Sequence, residues 1–287
     1  MRKESLALGV VYLVWGSTYA AIAIAVESFP PFLMAGVRWT LAGGLLYAIL
    51  RARGVAAPSP REWRQGVIAG ALLFVGGNGL VCWAEQRVSS GTAAMALATV
   101  PLFTVVIGWL VYRETRPDRL TWMGLLFGVV GVGTLFGAGG DIDVAGATAV
   151  IVAALCWACG TLYVRYSTTP SSAFMASATH MAAGGVLMLV VGGLRGESLS
   201  TPSHEALAAL GYLVAFGSLA GFGAYAWLIQ RISSGALSTH AFVNPVVAVA
   251  IGWLLLDESV SAQTALAAAA IVVSVALILR PRRHAIV

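Results

Sequence analysis

The chain has 287 residues, of which 59% are hydrophobic and only 10% are charged, and its formal net charge is +5. A soluble domain carries about 25% charged residues. The composition therefore excludes an ordinary water-soluble protein and indicates a protein of the lipid bilayer. The arginines are scattered singly between apolar runs instead of forming a basic patch, which argues against nucleic acid as a partner.

Ten apolar runs follow one another along the chain, each long enough to cross a bilayer core as a helix of roughly 20 residues. They lie at 5–26, 30–50, 66–84, 90–112, 119–137, 144–165, 172–194, 206–230, 234–256 and 262–280. We therefore predict an all-α membrane protein of ten transmembrane helices. The longest connection, Arg51–Gln65, is too short for a separate soluble domain.

Basic residues are distributed unevenly among the connections between these runs. With the N-terminus inside, fourteen lie in inner segments, and only Arg87 and Arg195 lie in outer ones. Cytoplasmic connections of membrane proteins are enriched in Lys and Arg. The sequence thus predicts a multi-pass protein of the bacterial inner (plasma) membrane with both termini in the cytoplasm.

The chain contains an internal repeat. Residues 83–114 align without gaps with 227–258, with thirteen identities in 32 positions, and Pro101 matches Pro245. A weaker match pairs Trp15 with Trp157 at an offset of 142. We predict two five-helix repeats, 1–139 and 140–287, around a central cavity. Because five is odd, the second repeat would be inverted. Inverted repeats are typical of alternating-access transporters, and a membrane scaffold that inherited a duplication is the alternative.

Several short motifs occur in order over essentially the whole chain: Trp15–Tyr19, Arg38, Ala98–Phe103, Glu114, Asn244–Pro245, and Gly252 with Glu258. In this arrangement the chain resembles the drug/metabolite transporter superfamily, in its EamA-type ten-helix branch. The resemblance implies a secondary exporter of small metabolites, and the similar branches include exporters of amino acids, among them aromatic ones. It also implies that the fifth and tenth helices are peripheral to the cavity.

Polar and aromatic side chains at membrane depth are the candidate substrate-binding residues, because such groups are costly in lipid unless they have partners. They are Trp15, Thr18, Tyr19, Met34, Arg38, Asn78, Trp157, Tyr163, His180, Tyr225 and Asn244. Arg38 would hold a substrate carboxylate with its planar guanidinium, or else bind backbone carbonyls or a boundary acid such as Glu85.

The other candidates also have two interpretations each. Trp15 and Trp157 would form aromatic walls suited to apolar substrates, or simply pack. Asn244 precedes Pro245, whose missing N–H frees a carbonyl one turn earlier, and this favours a polar ligand there. Asn244 and Asn78 would each bind substrate or, alternatively, clasp two helices together. Pro101 and Pro245 are predicted hinges that gate opposite ends of the cavity.

The sequence predicts neither an enzyme nor a cofactor or metal site, because it has no H-E-x-x-H, no Walker motif and no paired interior carboxylates. Since none of the ten apolar runs has an Asp or Glu in its interior, we expect facilitated efflux. The alternative is proton antiport through His180, on the premise that it is the only interior side chain whose unperturbed pKa is near neutral. The expected partners are a small-molecule substrate and bilayer lipids, and the protein is expected to be a monomer or a weak homodimer.

Overall fold

The computed structural model describes residues 2–137, 143–167, 172–199, 201–229, 231–232, 237, 240–255 and 260–279, and the regular elements in these ranges are helices. The helices are α1 (Arg2–Val26), α2 (Pro31–Ala52), α3 (Pro60–Ala84), α4 (Ser90–Leu110), α5 (Arg119–Gly137), α6 (Val144–Tyr166), α7 (Ala173–Leu194), α8 (His204–Ile229), α9 (His240–Leu255) and α10 (Ala262–Leu279). Seven are long and apolar enough to cross a membrane, and α5, α9 and α10 contribute shorter apolar helices. The predicted all-α membrane fold is confirmed.

Helix α3 begins at Pro60, earlier than the predicted residue 66. Ser59 caps it: the Ser59 hydroxyl accepts from the Glu62 N–H at 3.3 Å, and the Glu62 carboxylate accepts from the Ser59 N–H at 2.7 Å. This reciprocal pair satisfies two backbone donors at a helix start. The prediction was wrong here because it split the chain at charges and missed the cap, so the connection to α2 is shorter than expected.

Two helices change their winding at corresponding positions. Residues Ala71–Gly79 of α3 and Leu213–Phe222 of α8 are π-helical, and their first residues are 142 positions apart, the same offset that pairs Trp15 with Trp157. π-Helical turns are rare and occur frequently at functional sites. The duplication visible in the sequence is therefore also present in an unusual feature of the backbone.

The packing of the helices is unchanged when the two halves are exchanged. Helix α2 lies along α7 and α5 lies along α10, while the contact of α1 with α9 has a counterpart in that of α6 with α4. Likewise, α1 packs on α8 as α6 packs on α3. Helices α5 and α10 lie against each other at the edge of the bundle, where the resemblance to ten-helix transporters placed them.

The crossing of α2 and α7 depends on two glycines. A β-carbon on Gly43 would overlap the backbone nitrogen of Ala182, and one on Gly185 would overlap that of Thr40. Small residues let helix backbones approach closely in membrane proteins, where packing rather than the hydrophobic effect holds helices together. Each repeat supplies one of these glycines, so the contact between the repeats is reciprocal.

The connections meet at two ends of the bundle. The Gln86 side chain donates to the Val26 carbonyl at 3.4 Å, and Arg87 forms an ion pair with Asp143 at 3.5 Å. Because Val26 ends α1 and Asp143 caps the start of α6, α1 ends where α6 begins. We call this the Arg87 end.

The opposite end of the bundle is formed where α4 and α6 both end. There the Tyr166 hydroxyl donates to the Glu114 carboxylate at 2.5 Å, and the rings of Tyr112 and Tyr166 stack at 4.5 Å. Arg165 lies beside them at the end of α6, so we call this the Arg165 end.

Candidate functional site

A central cavity lies between α1, α2, α3, α4, α6 and α9. The space in it that the centre of a water molecule can occupy is about 70 Å³. Seven of the predicted binding residues line it: Trp15, Thr18, Tyr19, Arg38, Asn78, Trp157 and Asn244. The predicted hinge residue Pro245 lines it as well. The structure therefore brings together residues from both halves of the chain, as the repeat predicted.

Two tryptophans from matched positions meet at this cavity. The rings of Trp15 and Trp157 contact each other edge to face, with centroids 5.7 Å apart. The Trp15 indole N–H donates to the Gly217 carbonyl at 3.1 Å, and a β-carbon on Gly77 would lie 2.8 Å from the Trp157 ring. Gly217 and Gly77 belong to the two π-helical segments. Each tryptophan is thus positioned by the π-helical segment of the other half.

Arg38 carries the charge of the central cavity. Its side chain is only 2% exposed; its Nε donates to the Ser218 hydroxyl at 2.9 Å, and its guanidinium lies 4.4 Å from the centre of the Trp39 ring. Its Nη1 has no hydrogen-bond partner among the described residues. The Ser218 hydroxyl is therefore a hydrogen-bond partner of this guanidinium that the sequence interpretation had not named. A buried charge with an unused donor is costly unless something pairs with it, and this one lines a cavity.

Asn78 joins two helices as well as lining the cavity. Its Oδ1 accepts from the Trp39 indole N–H at 2.7 Å and from the Cys82 thiol at 3.7 Å. Trp39 directly follows Arg38 and lines the same cavity, but sequence reasoning did not select it. As a tryptophan at membrane depth, it met the criterion that selected Trp15 and Trp157, and its position next to Arg38 was a second signal.

His240 is the second residue that sequence reasoning missed. It lines the central cavity, with its ring edge-on to Trp15 at 5.2 Å and to Tyr225 at 5.8 Å. His180 is therefore not the only interior side chain whose unperturbed pKa is near neutral, and that premise is wrong. The signal was present, because residue 240 lies inside the predicted run 234–256.

Asn244 fixes the orientation of His240. Its amide nitrogen, in the orientation that satisfies its neighbours, donates to the carbonyls of His240 at 2.9 Å and Tyr12 at 3.3 Å. Its amide oxygen then faces the Nδ1 of His240 at 3.4 Å and accepts from it. One turn before Pro245, the carbonyl of Ala241 lacks its helical donor, and Ala241 also lines the cavity.

The central cavity continues towards the Arg165 end. A connecting cavity of about 50 Å³ shares Trp157 and His240 with the central cavity. It also shares Arg165 and Tyr225 with an entrance cavity of about 340 Å³, which His180 lines. At the Arg87 end a separate pocket of about 460 Å³ has no described lining residue in common with the central cavity.

Besides His180 and Tyr225, three predicted residues do not line the central cavity. Met34 is completely buried in the hydrophobic core. Tyr163 is not among the described residues that line the central, connecting or entrance cavity. Pro101 lines the connecting cavity, directly after a break in α4 at Ala98–Thr99. Pro245, its repeat partner, lies inside a continuous helix. Whether these residues act on the substrate stays a prediction.

The fold and the cavity together define a class of protein. A bundle of apolar helices encloses a small cavity with polar and aromatic walls. Among the described residues that line it, Arg38 carries a charge. The cavity is lined by residues of both halves of the chain, and it shares lining residues with a cavity that leads towards one end of the bundle. These features are those of a membrane transporter.

Comparison with known proteins identifies the family. The model of the EamA-like transporter family matches residues 3–137 and again residues 144–280. The chain is 41% identical over 276 residues to the "uncharacterized inner membrane transporter YedA" of Escherichia coli (strain K12), which covers 95% of this chain and 89% of the relative. The chain belongs to the EamA-like transporter family.

Two further similarities are weaker. The "probable amino-acid metabolite efflux pump" of Salmonella typhimurium is 26% identical over 277 residues, covering 91% of this chain and 89% of that protein. A crystal structure of a protein with 22% sequence identity superimposes with a TM-score of 0.72 over 98% of both chains. The latter shows the shared fold.

Proposed function

We propose that this protein exports amino acids or closely similar small metabolites across the inner membrane by alternating access. The observation that carries the proposal is the buried guanidinium of Arg38, whose Nη1 is left without a partner among the described residues, beside the aromatic walls of a central cavity. An amino acid has a carboxylate for this guanidinium and, if aromatic or apolar, a side chain for these walls.

The arrangement of the two halves supports alternating access. The family model matches each half separately, and α1 ends at the end of the bundle where α6 begins. We infer that the halves are inverted repeats, related by an axis in the membrane plane. Two similar halves inserted in opposite directions give states of similar energy that face opposite sides.

The described cavities indicate which state is present. The central cavity continues through the connecting cavity to the Arg165 end, and the basic connections are concentrated at that end. The positive-inside rule places it in the cytoplasm. The structure then corresponds to an inward-facing state that admits substrate from the cytoplasm. The central cavity alone has room for only a few waters, so an amino acid would also need the space around Tyr225.

The substrate class draws further support from one relative. The Salmonella protein is named as an amino-acid metabolite efflux pump, and the two chains match over most of their lengths. Facilitated efflux was expected because no carboxylate lies in the interior of any of the ten apolar runs. Proton antiport is the second candidate, and the position of His240 in the central cavity favours it.

Counterflow in liposomes tests the proposal. Purified protein is reconstituted into vesicles preloaded with one unlabelled amino acid, and entry of the same labelled amino acid is followed for a panel that includes phenylalanine. We expect entry well above that of protein-free vesicles for at least one member of the panel. A scaffold protein would show none, so a panel without any counterflow would contradict the proposal.

A further inference from the structure

His240 lies at the junction of the route from the central cavity to the Arg165 end. It lines both the central cavity and the connecting cavity. Its ring is held edge-on between Trp15 and Tyr225, and Asn244 accepts from its Nδ1. With Nδ1 as the donor to the Asn244 oxygen, a neutral imidazole keeps Nε2 as a hydrogen-bond acceptor.

Charged and titratable side chains from several elements line the two cavities that His240 shares. From α2, Arg38 lines the central cavity, and from α6, Arg165 lines the connecting cavity. Glu114, after α4, lines the connecting cavity but accepts a hydrogen bond from Tyr166. Tyr19 from α1 and Tyr225 from α8 face it as neutral phenols. A proton on His240 would thus add a second positive charge to a cavity that already holds Arg38.

The same cavity has two chemically different ends for an amino acid. The Nη1 of Arg38 offers a donor for the carboxylate. Around His240, the Trp15 ring in the central cavity, the Tyr225 ring in the adjoining connecting cavity and the neutral imidazole offer uncharged partners for an ammonium group. Arg38 makes no described contact with His240, and the Trp15 indole lies between them, bonded to Gly217 on the Arg38 side.

We infer that a proton on His240 and the ammonium group of an amino acid exclude each other from the central cavity, so that the protein is a proton antiporter. The neutral imidazole accepts from the ammonium, whereas the imidazolium repels it at short range in a poorly screened site. Mutually exclusive binding of proton and substrate at one site is the requirement for exchange. The inference rests on the proposed export of amino acids.

The test uses the full-length protein in liposomes whose lumen is about one pH unit more acidic than the outside, with valinomycin and equal potassium on both sides to hold the membrane potential at zero. The probe is the amino acid with the fastest counterflow in the panel, phenylalanine by expectation. One-for-one exchange with protons should accumulate it about tenfold in the lumen, since one pH unit is a tenfold ratio of proton activity. His240→Gln should lose this accumulation while still showing counterflow above that of protein-free vesicles, at a reduced rate because the substituted side chain lines the binding cavity.

Two further variants complete the comparison. His204→Gln makes the same chemical change at the exposed start of α8 and should accumulate the probe like wild type. His180→Gln changes the histidine of the entrance cavity, so its rate of uptake can fall, but its final accumulation ratio should equal that of wild type. Accumulation that persists in His240→Gln, or that is lost in His180→Gln instead, would overturn the inference.

Three outcomes in the wild type are decisive as well. Counterflow without any accumulation would overturn the inference and leave the proposed export of amino acids standing. Accumulation in an alkaline lumen would indicate symport and would overturn it too. If no amino acid shows counterflow, the proposed substrate class is contradicted, and the inference that rests on it falls for that separate reason.

Discussion

Replacing Arg38 by Gln removes the charge of the central cavity and keeps a polar, though shorter, side chain. In the structure, this guanidinium is 2% exposed, its Nε bonds Ser218 at 2.9 Å, and its Nη1 is unpartnered among the described residues. If a substrate carboxylate takes Nη1, the variant loses one partner of a desolvated charge pair, which costs about 2–5 kcal/mol. The connecting cavity adjoins the site, so we expect the lower part of this range.

The expected loss is large enough to measure. About 2–3 kcal/mol corresponds to a half-saturation concentration raised roughly 30- to 150-fold. Counterflow at graded substrate concentrations measures it, and the melting temperature of the purified variant reports separately on folding. Arg38→Lys keeps the charge without the planar fork and should fall between wild type and Arg38→Gln. Ser218→Ala removes only the positioning hydrogen bond, so its effect should be smaller than that of Arg38→Gln.

A substrate that lacks the carboxylate separates binding from structure. Phenethylamine has the ring and the ammonium group of phenylalanine but nothing for Arg38 to pair with. If Arg38 binds the carboxylate, Arg38→Gln should weaken phenylalanine and leave any transport of phenethylamine little changed. An equal loss for both compounds, or a lowered melting temperature with unchanged half-saturation, would show that Arg38 serves the fold and would refute the reasoning.

Two other predictions concern the membrane topology and the crossing of α2 and α7. In a cysteine-free background, a cysteine that replaces Arg87 should react with an impermeant maleimide from outside the cell. A cysteine that replaces Arg116 should react only after permeabilisation. Labelling of both from outside would contradict the assigned orientation. Gly43→Ala should lower the melting temperature by a few degrees, because overpacking costs about 1–3 kcal/mol. Gly44→Ala, next to it but with open space at the β-carbon, is the matched control, and equal effects would contradict the role of the close crossing.

The helices could be predicted from the sequence because lipid imposes a simple rule on length and polarity. Each of the ten runs corresponds to a helix, and the errors lie at the ends, as at Pro60, where a capping box starts α3. The meeting of Trp15 and Trp157 also followed from the sequence, since the repeat gave them one offset. The apolar runs and the internal repeat can be read from the sequence without knowledge of the contacts between helices.

The contacts that complete the site could not be predicted in the same way. The π-helical segments that bring Gly217 and Gly77 against the tryptophans depend on packing between halves, because nothing in their apolar composition distinguishes them from α-helix. Ser218 was one of many small polar residues in the sequence, and only the structure places it against Arg38. His240 could have been selected from its run, but its contact with Trp15 depends on how α1 and α9 pack.

The two halves differ in one respect that bears on transport. Helix α4 is interrupted at Ala98–Thr99, where the Thr99 N–H bonds the Ala96 carbonyl at 3.1 Å. The corresponding residues of the second half, 242–243, lie inside α9 without a break. Both helices carry a proline at the matched position, so both sequences allow the break. Exchange of the two conformations between the halves would produce a state that faces the other way.

Replacing either proline should therefore slow transport. Pro101→Ala restores a backbone donor and favours an unbroken α4, while Pro245→Ala does the same for α9 in the opposite state. Each substitution disfavours the broken conformation of one helix, which is needed in one of the two states. The counterflow rate should therefore fall, and the half-saturation concentration should change less. Pro31→Ala is the control, because Pro31 opens α2 at a position where proline is well tolerated. Wild-type rates in both Pro101→Ala and Pro245→Ala would mean that the two halves do not exchange this break, and the asymmetry of α4 and α9 would then be a fixed feature of the fold.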